Sequence, residues 1–362
     1  MSLNLESAPT GQARASRGEE ALTIINNYRS HVDEHFSVEP LDTEFPTFAR
    51  ELDANVQLAR AGDNLAGAFK WRGAIYGAYK LHEQGIERLV VPSAGNHARG
   101  AALAARALNM SAMVIVPESA PDEKKHKIKQ LWSSSKLRVL TRGETFSESL
   151  QFAVENFDQA ELLHPYDNPD VMAGQGTIVD DILYQSPDAK HLVVPVGGGG
   201  LAGGMLNRLN ELGCSDITVH AVEAAGSDSA SSSLAAGRLI DAYRPNQLYG
   251  GSAVSRIGEL AYQAFIDHPN FTVVTSVFDD DVSLLIESYK YDRKEQLIEN
   301  VSAYEPTSLV AIAGLTRVID GLKACDRAGE QVVVIGTGHN APLQPKSPGH
   351  HYPWKSPRNI SQ

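Results

Sequence analysis

The sequence predicts an α/β protein built on mostly parallel sheets, arranged as two lobes or as one large unit. Three observations carry the prediction. At 362 residues the chain is too long for one small core. Short β-branched runs recur through its middle and stay apolar along their whole length, as strands buried on both faces do. Helix-patterned segments separate these runs, which implies βαβ crossovers. The composition, 42% hydrophobic and 21% charged with 30 Gly and 18 Pro, is ordinary for a globular protein and speaks against global disorder.

In chain order, residues 1–20 are polar and rich in Ser, Gly and Ala, and read as a mobile arm. His31-Val32-Asp33-Glu34-His35 has the HxxEH spacing of inverted zinc peptidases, but no third ligand is evident. A surface helix is the better account there, and no metal site is expected. Buried strands are predicted at 88–92, 112–116, 137–140, 191–196, 218–223 and 331–336. Helices are predicted at 71–84, 97–109, 145–157, 201–212 and 305–323. The last stretch, 341–362, carries Pro342, Pro345, Pro348, Pro353 and Pro357, which excludes helix or central strand and suggests a tail that wraps the surface.

Charge narrows the function. Lys plus Arg is 32 and Asp plus Glu is 44, a net charge of −12, which disfavours a nucleic-acid binder. The dense basic run Lys124, Lys125, His126, Lys127 and Lys129 follows Pro121-Asp122-Glu123 and reads as the solvated face of a helix. Two cysteines, Cys214 and Cys325, make no disulfide framework. The first 20 residues lack the apolar core of a signal peptide, and the apolar stretch 192–206 is glycine-filled and too short to span a bilayer. The expectation is a soluble, cytoplasmic protein with no membrane or nucleic-acid partner.

Open parallel sheets bind ligands at the carboxyl ends of their strands, so the turns after the strands hold the candidate chemistry. Val193–Val196 runs into Gly197-Gly198-Gly199-Gly200 and then Leu201, a strand–glycine–helix junction whose backbone N–H groups can surround a phosphate. No Gly-Lys-Ser/Thr follows, so it is not a P-loop. Glu223 at the end of the next strand keeps a dinucleotide site open. Strand 89–92 runs into Ser93-Ala94-Gly95-Asn96-His97, either a plain helix cap or a carboxylate nest. Lys70, between Phe69 and Trp71 at a helix start, is either an ordinary solvated lysine or one whose pKa is lowered for Schiff-base chemistry. Strand 332–335 runs into Gly336-Thr337-Gly338, either a plain turn or a hydroxyl between glycines placed to reach a ligand in the same crevice.

Together these segments resemble the pyridoxal-phosphate-dependent serine/threonine dehydratase family, of the tryptophan-synthase-β structural class (fold type II). The resemblance runs from about Leu52 to about Asn340. It is carried by GAFKWRGA (67–74), PSAGNHARGAALA (92–104), HPYDNPDVMAGQGT (164–177), VPVGGGGLAGG (194–204), AVEAAGSDSA (221–230), SRIGE (255–259) and EPTSLVAIAGL (305–315), in the family's order. It implies two lobes, each with a mostly parallel twisted sheet flanked by helices, and pyridoxal 5'-phosphate in the cleft between them. The large lobe would comprise 21–71 and 181–340, and the small, mobile lobe 72–180. It implies that Lys70 holds the cofactor covalently and takes the substrate's α-proton. Gly197, Gly198, Gly199, Gly200 and Leu201 would hold the phosphate, Asn96 the ring's 3'-oxygen, and Thr337 would face the ring nitrogen. Ser93, Ala94, Gly95 and His97 would surround the substrate. A neutral Thr337 there favours β-elimination. Ala94 stands where the family's racemases place an acidic serine, so little racemisation is expected.

The implied reaction is dehydration and deamination of threonine, serine or a related 3-hydroxy amino acid to a 2-oxo acid and ammonia. A β- or γ-replacement enzyme of the same class is the alternative, and a catalytically idle binding relative the third reading. A homodimer or homotetramer is expected. The sequence departs from the family pattern at Ala68 for serine, Arg99 for glutamine, and Thr307-Ser308-Leu309 for Ser-Gly-Ala. Asp228 falls one residue short of the family's metal-site spacing from Glu223.

Overall fold

The computed structural model describes residues 15–31, 41–42, 52–132, 134–242, 245, 247–291 and 304–338. The chain enters through helix α1 (Arg17–His31), whose Ala21, Ile24, Ile25 and Tyr28 form one buried stripe at helical spacing. The expected arm therefore ends earlier than residue 20, because Arg17 onward is held by this stripe; residues 1–14 and the expected tail 341–362 lie outside the described residues. His31 closes α1, and the rest of its zinc-like motif also lies outside them.

The larger sheet has the order β1-β2-β9-β6-β7-β8. Its strands are β1 (Leu41–Asp42), β2 (Val56–Arg60), β6 (Ala189–Pro195), β7 (Thr218–Ala224), β8 (Phe271–Val277) and β9 (Gln331–Gly336). Five are parallel; β1 pairs antiparallel to β2 at the edge. The smaller sheet is parallel throughout, β3 (Arg88–Pro92), β4 (Ser111–Val116) and β5 (Leu137–Thr141) in that order. The six predicted strands are present, and β1, β2 and β8 are additions.

Helices cover both sheets. Those of the smaller-sheet region are α2 (Trp71–Glu83), α3 (Asn96–Ala107), α4 (Asp122–Leu131) and α5 (Phe146–Asn156). Two short helices follow, α6 (Pro169–Gly176) and α7 (Ile178–Gln185), then α8 (Gly200–Leu212), α9 (Ser229–Ala236), α10 (Glu259–Asp267) and α11 (Asp279–Tyr291). The long α12 (Pro306–Ala324) starts with proline at its first position and is buried for much of its length under the larger sheet. The basic run forms α4, where only Ile128 is buried. Among the described residues no helix is long and apolar enough to cross a membrane.

The hydrophobic cores shift the expected lobe borders. Trp71 and the α1 stripe, expected in the large lobe, pack with Leu89, Leu103 and Val114 of the smaller. Ile178 and Val179, expected in the small lobe, pack with Leu192 and Leu206 of the larger. Backbone contact at α6 is the reason the junction lies there. A Cβ on Gly176 would lie 2.3 Å from the Gly204 carbonyl oxygen, and one on Gly73 2.5 Å from that of Val171. Only glycine lets α6 lie this close to both α8 and α2.

The topology places the site. The chain runs outward from β6 through β7 to β8, then returns to insert β9 on the other side of β6. Strand order changes direction at the β9–β6 pair, and a crevice opens at the carboxyl ends of strands at such a point. Gly197–Gly200 follows β6 and Thr337 follows β9, so both border that crevice.

Candidate active site

Lys70 is the N-cap residue of α2, and its loop is tied to the turn after β9. Phe69 N–H donates to the Thr337 carbonyl at 3.1 Å, and Ala68 pairs with Gly338 in an antiparallel bridge. The Lys70 ammonium donates to the Pro165 carbonyl at 3.3 Å and lies 4.8 Å from the centre of the Phe69 ring. Burial lowers its pKa to about 8, with the Glu305 carboxylate pulling the other way. Part of the Lys70 population is therefore a free amine near neutral pH.

Glu305, the residue before Pro306, reaches the same place. Asn96 Nδ2 donates to both its carboxylate oxygens, each at 2.8 Å. Burial raises the Glu305 pKa, opposed by Asn96 and by the charges of Arg99, Lys124 and Lys70. Glu305 N–H donates to the Gly338 carbonyl at 3.0 Å, which fixes the start of α12 beside the Lys70 loop.

Ser93, Ala94 and Gly95 form the turn into α3, with Gly95 N–H donating to Ser93 Oγ at 3.2 Å. His97 is 1% exposed, and its Nε2 bonds the Leu163 carbonyl at 2.9 Å, leaving Nδ1 buried without a partner. Burial and the Lys70 charge hold the ring neutral, with a pKa pushed down to about 3. Since Nε2 donates to a carbonyl, Nδ1 is an acceptor. The His97 ring therefore offers no free N–H to a carboxylate bound at this turn.

The glycine loop is packed from behind. A Cβ would meet Ser252 Cα at 2.5 Å from Gly197, the Tyr166 ring at 2.3 Å from Gly198, and Ala261 Cβ at 2.6 Å from Gly199. Gly199 also has φ +81°, which glycine adopts without strain. The first bond of α8 runs from Gly203 N–H to the Gly199 carbonyl at 2.8 Å, so the preceding N–H groups have no helix carbonyl to meet. They are free to receive an anion, with the helix dipole behind them. Leu201 begins the buried face of α8.

Thr337 is 3% exposed, and its Oγ1 lies 3.2 Å from Ser308 Oγ. This pair of neutral hydroxyls closes the β9 side of the crevice. The crevice thus unites Lys70, Asn96, Thr337 and the turn into α3, while the glycine loop borders it after β6. The Pro165 carbonyl was not singled out from the sequence, Ser308 was named there only as part of a departure from the family pattern, and Glu305 was quoted without a role. Its position directly before the helix-starting Pro306 was the available signal. Glu223, considered for a dinucleotide ribose, caps α9 instead, accepting from Ala230 N–H at 2.7 Å and Ser231 N–H at 2.9 Å.

A crevice that offers an aldehyde a free amine and a phosphate a set of N–H donors is built for a cofactor bearing both groups, and that defines the class. The family model of pyridoxal-phosphate dependent enzymes matches residues 33–338, and the chain belongs to this family. Its cofactor is pyridoxal 5'-phosphate. A biosynthetic L-threonine dehydratase of Bacillus subtilis is 31% identical over 293 residues, 80% of this chain and 65% of its own. An L-threonine ammonia-lyase of Geobacter sulfurreducens is 31% identical, covering 75% of this chain and 64% of its own. The chain spans 46 to 65% of the length of the first curated relatives it matches. Among solved structures, the processed form of threonine deaminase isoform 2 from Solanum lycopersicum is similar at a TM-score of 0.74 and 27% identity, covering 92% of both chains.

Proposed function

We propose that the chain is a pyridoxal-phosphate-dependent ammonia-lyase, converting threonine, serine or a related 3-hydroxy amino acid to a 2-oxo acid and ammonia. The observation that carries this reading is Lys70, a free amine near neutral pH in the switch-point crevice. When bound, pyridoxal phosphate supplies the electron-withdrawing system that acidifies the substrate's Cα–H. Lys70 would hold the cofactor covalently, and its amine, partly free near neutral pH, is the base placed to take the substrate's Cα proton. The N–H groups of Gly197 to Leu201 would receive the phosphate. Asn96, whose amide donates to Glu305, would stand at the ring's 3'-oxygen, and Thr337, backed by Ser308, would offer the ring nitrogen a neutral hydroxyl. The turn Ser93–Asn96 receives the substrate carboxylate on backbone N–H groups. Loss of water across Cα–Cβ leaves an enamine that water hydrolyses to the 2-oxo acid and ammonia.

The region around the smaller sheet, about 72–180, would close over the substrate. We infer a soluble cytoplasmic homodimer or homotetramer with no nucleic-acid or membrane partner; the net charge of −12 supports the second part. An amino-acid screen of the holoenzyme for ammonia and 2-oxo acid tests the reaction. Release from a 3-hydroxy amino acid is expected, with little D- or allo-isomer in the remaining substrate because the Ala94 methyl cannot donate a proton. A β- or γ-replacement product in place of ammonia release would overturn it.

A further inference from the structure

At the amino-terminal ends of the larger sheet's strands, away from the crevice, four side chains form one unbroken hydrogen-bond chain. His191 lies on β6, His220 on β7, Thr272 on β8 and Glu330 directly before β9. Strand alternation puts His191 and His220 on the side of Val193 and Val222, which pack with residues of α12. Both rings are buried, with their centroids 5.1 Å apart. Thr272 Oγ1 lies 2.8 Å from His220 Nδ1, and His220 Nε2 lies 3.0 Å from His191 Nδ1. His191 Nε2 completes the chain, 2.8 Å from Glu330 Oε2.

An ionised carboxylate only accepts, so His191 carries its proton on Nε2. Its Nδ1 then accepts from His220 Nε2–H, and His220 Nδ1 accepts from the Thr272 hydroxyl. With both rings neutral every ring nitrogen is paired, and an added proton has to displace one of these donors. Glu330 stays ionised because Arg327 donates to both its oxygens, at 3.0 and 2.8 Å, and holds its carboxyl at about 2. The charges that act on His191 are those of Glu330 and Arg327, and on His220 those of His191 and Arg327. Around them, Lys190 pairs with Asp216 and faces Glu330 and Asp188, and Cys325, just past α12, faces Arg327. Since Arg327 already answers Glu330, an imidazolium here is a buried cation without a counter-ion of its own.

Strand β8 is the edge of the sheet and pairs with β7 alone, so the Thr272–His220 bond ties down its start. The preceding residue, Phe271, packs on the other face and stacks on Phe265 of α10, with ring centroids 4.2 Å apart. Phe265 and Ala261 of α10 stand behind the glycine loop. A Cβ on Gly199 would lie 3.2 Å from Phe265 and 2.6 Å from Ala261. We propose that the Thr272–His220–His191–Glu330 chain is an acid-sensitive clasp, in which a proton entering at His220 releases the start of β8 and withdraws support from the glycine loop. Thr272 is exposed, which gives the proton its way in. Burial, then the charges of His191 and Arg327, push the His220 pKa down to about 3, below the value of about 6.5 for an unconstrained ring. The clasp therefore holds fully above about pH 6.5 and weakens as pH falls toward about 3. Nothing in this device depends on which reaction the crevice performs.

Amide hydrogen exchange of the holoenzyme, read by mass spectrometry and corrected for the intrinsic pH dependence of exchange, tests the clasp. From about pH 7 to about pH 5, protection of the β8 peptide should fall at least about tenfold, as one newly protonated ring implies. Protection of the glycine-loop peptide should fall with it, while peptides of β3, β4 and β5 hold. His220→Gln keeps an N–H toward His191 but cannot titrate, so its β8 protection should change by less than about twofold over that range. Thr272→Val, at an exposed position, cuts β8 from the chain. Its β8 protection should already be reduced near neutral pH and should fall less on acidification. Phe271→Leu should keep the β8 response and abolish that of the glycine loop. Wild-type β8 protection that holds at the lower pH, or an acid fall undiminished in His220→Gln and Thr272→Val, would overturn the clasp. A glycine loop that stays protected in the wild type while β8 opens would overturn its coupling to the loop.

Discussion

Lys70 is pulled two ways, and the balance can be measured. Burial favours its free amine, and the Glu305 carboxylate favours its ammonium; the outcome is a pKa of about 8. Labelling of the cofactor-free protein with an amine reagent, followed by peptide mapping, should therefore show Lys70 reacting with a midpoint near pH 8. Exposed lysines should follow at about 10.4. Glu305→Gln removes the charge that favours the ammonium, so the Lys70 midpoint should fall further; an unchanged midpoint would mean the two groups are not coupled. Two aromatic neighbours and a helix start marked Lys70 as a candidate because they are local, and the resemblance to the family gave it its expected role. Glu305 was not marked, because its partner Asn96 stands 209 residues away and nothing local marks the pairing.

Among the elements, the glycine loop makes the sharpest demand on sequence. A Cβ on Gly198 would sit 2.3 Å from the Tyr166 ring, so Gly198→Ala must displace either the loop or the ring. The expected result is a stability loss of about 1–3 kcal/mol from overpacking, together with a clear fall in cofactor affinity read from fluorescence titration. Gly321, inside α12, is the control: nothing lies within 4 Å of an added Cβ there, and its φ is ordinary. Gly321→Ala should stabilise the protein by up to about 1 kcal/mol through helix propensity and leave cofactor binding alone. If both variants lose cofactor equally, the loop's close packing is not what shapes the site. Strands buried on both faces, such as β6 and β9, were legible within a residue or two because their apolar runs are unbroken. Strand β2 was not, since Gln57 and Arg60 interrupt a run of only five residues. Helix α6 was hidden by the glycines of VMAGQG, and is held by the Asn168 cap, a proline in the first turn and close backbone contact with α2 and α8.

At the scale of the molecule, one carboxylate fastens three separate segments at the lobe junction. Asp181, on α7, is 2% exposed and accepts from Arg29 on α1 at 2.6 Å and from Arg72 on α2. Arg72 also donates to Thr177 at 2.9 Å. Burial pushes the Asp181 carboxyl up, but the two guanidinium groups outweigh it and hold it at about 2. The sign of the pH dependence follows. The folded pKa is below the unfolded value of about 3.9, so the contribution is complete above that value and is lost as pH falls through about 2. Asp181→Asn leaves two buried cations facing a neutral amide, and removal of one partner of a buried ion pair costs about 3–5 kcal/mol. Denaturant unfolding at neutral pH should show a deficit of that order for Asp181→Asn, and the gap between wild type and variant should close progressively as pH falls from about 4 toward about 2. A gap that stays constant across that window would mean the carboxylate's charge is not what joins the lobes. The loss would then belong to side-chain packing, and the closure proposed for the smaller-sheet region would need a different anchor.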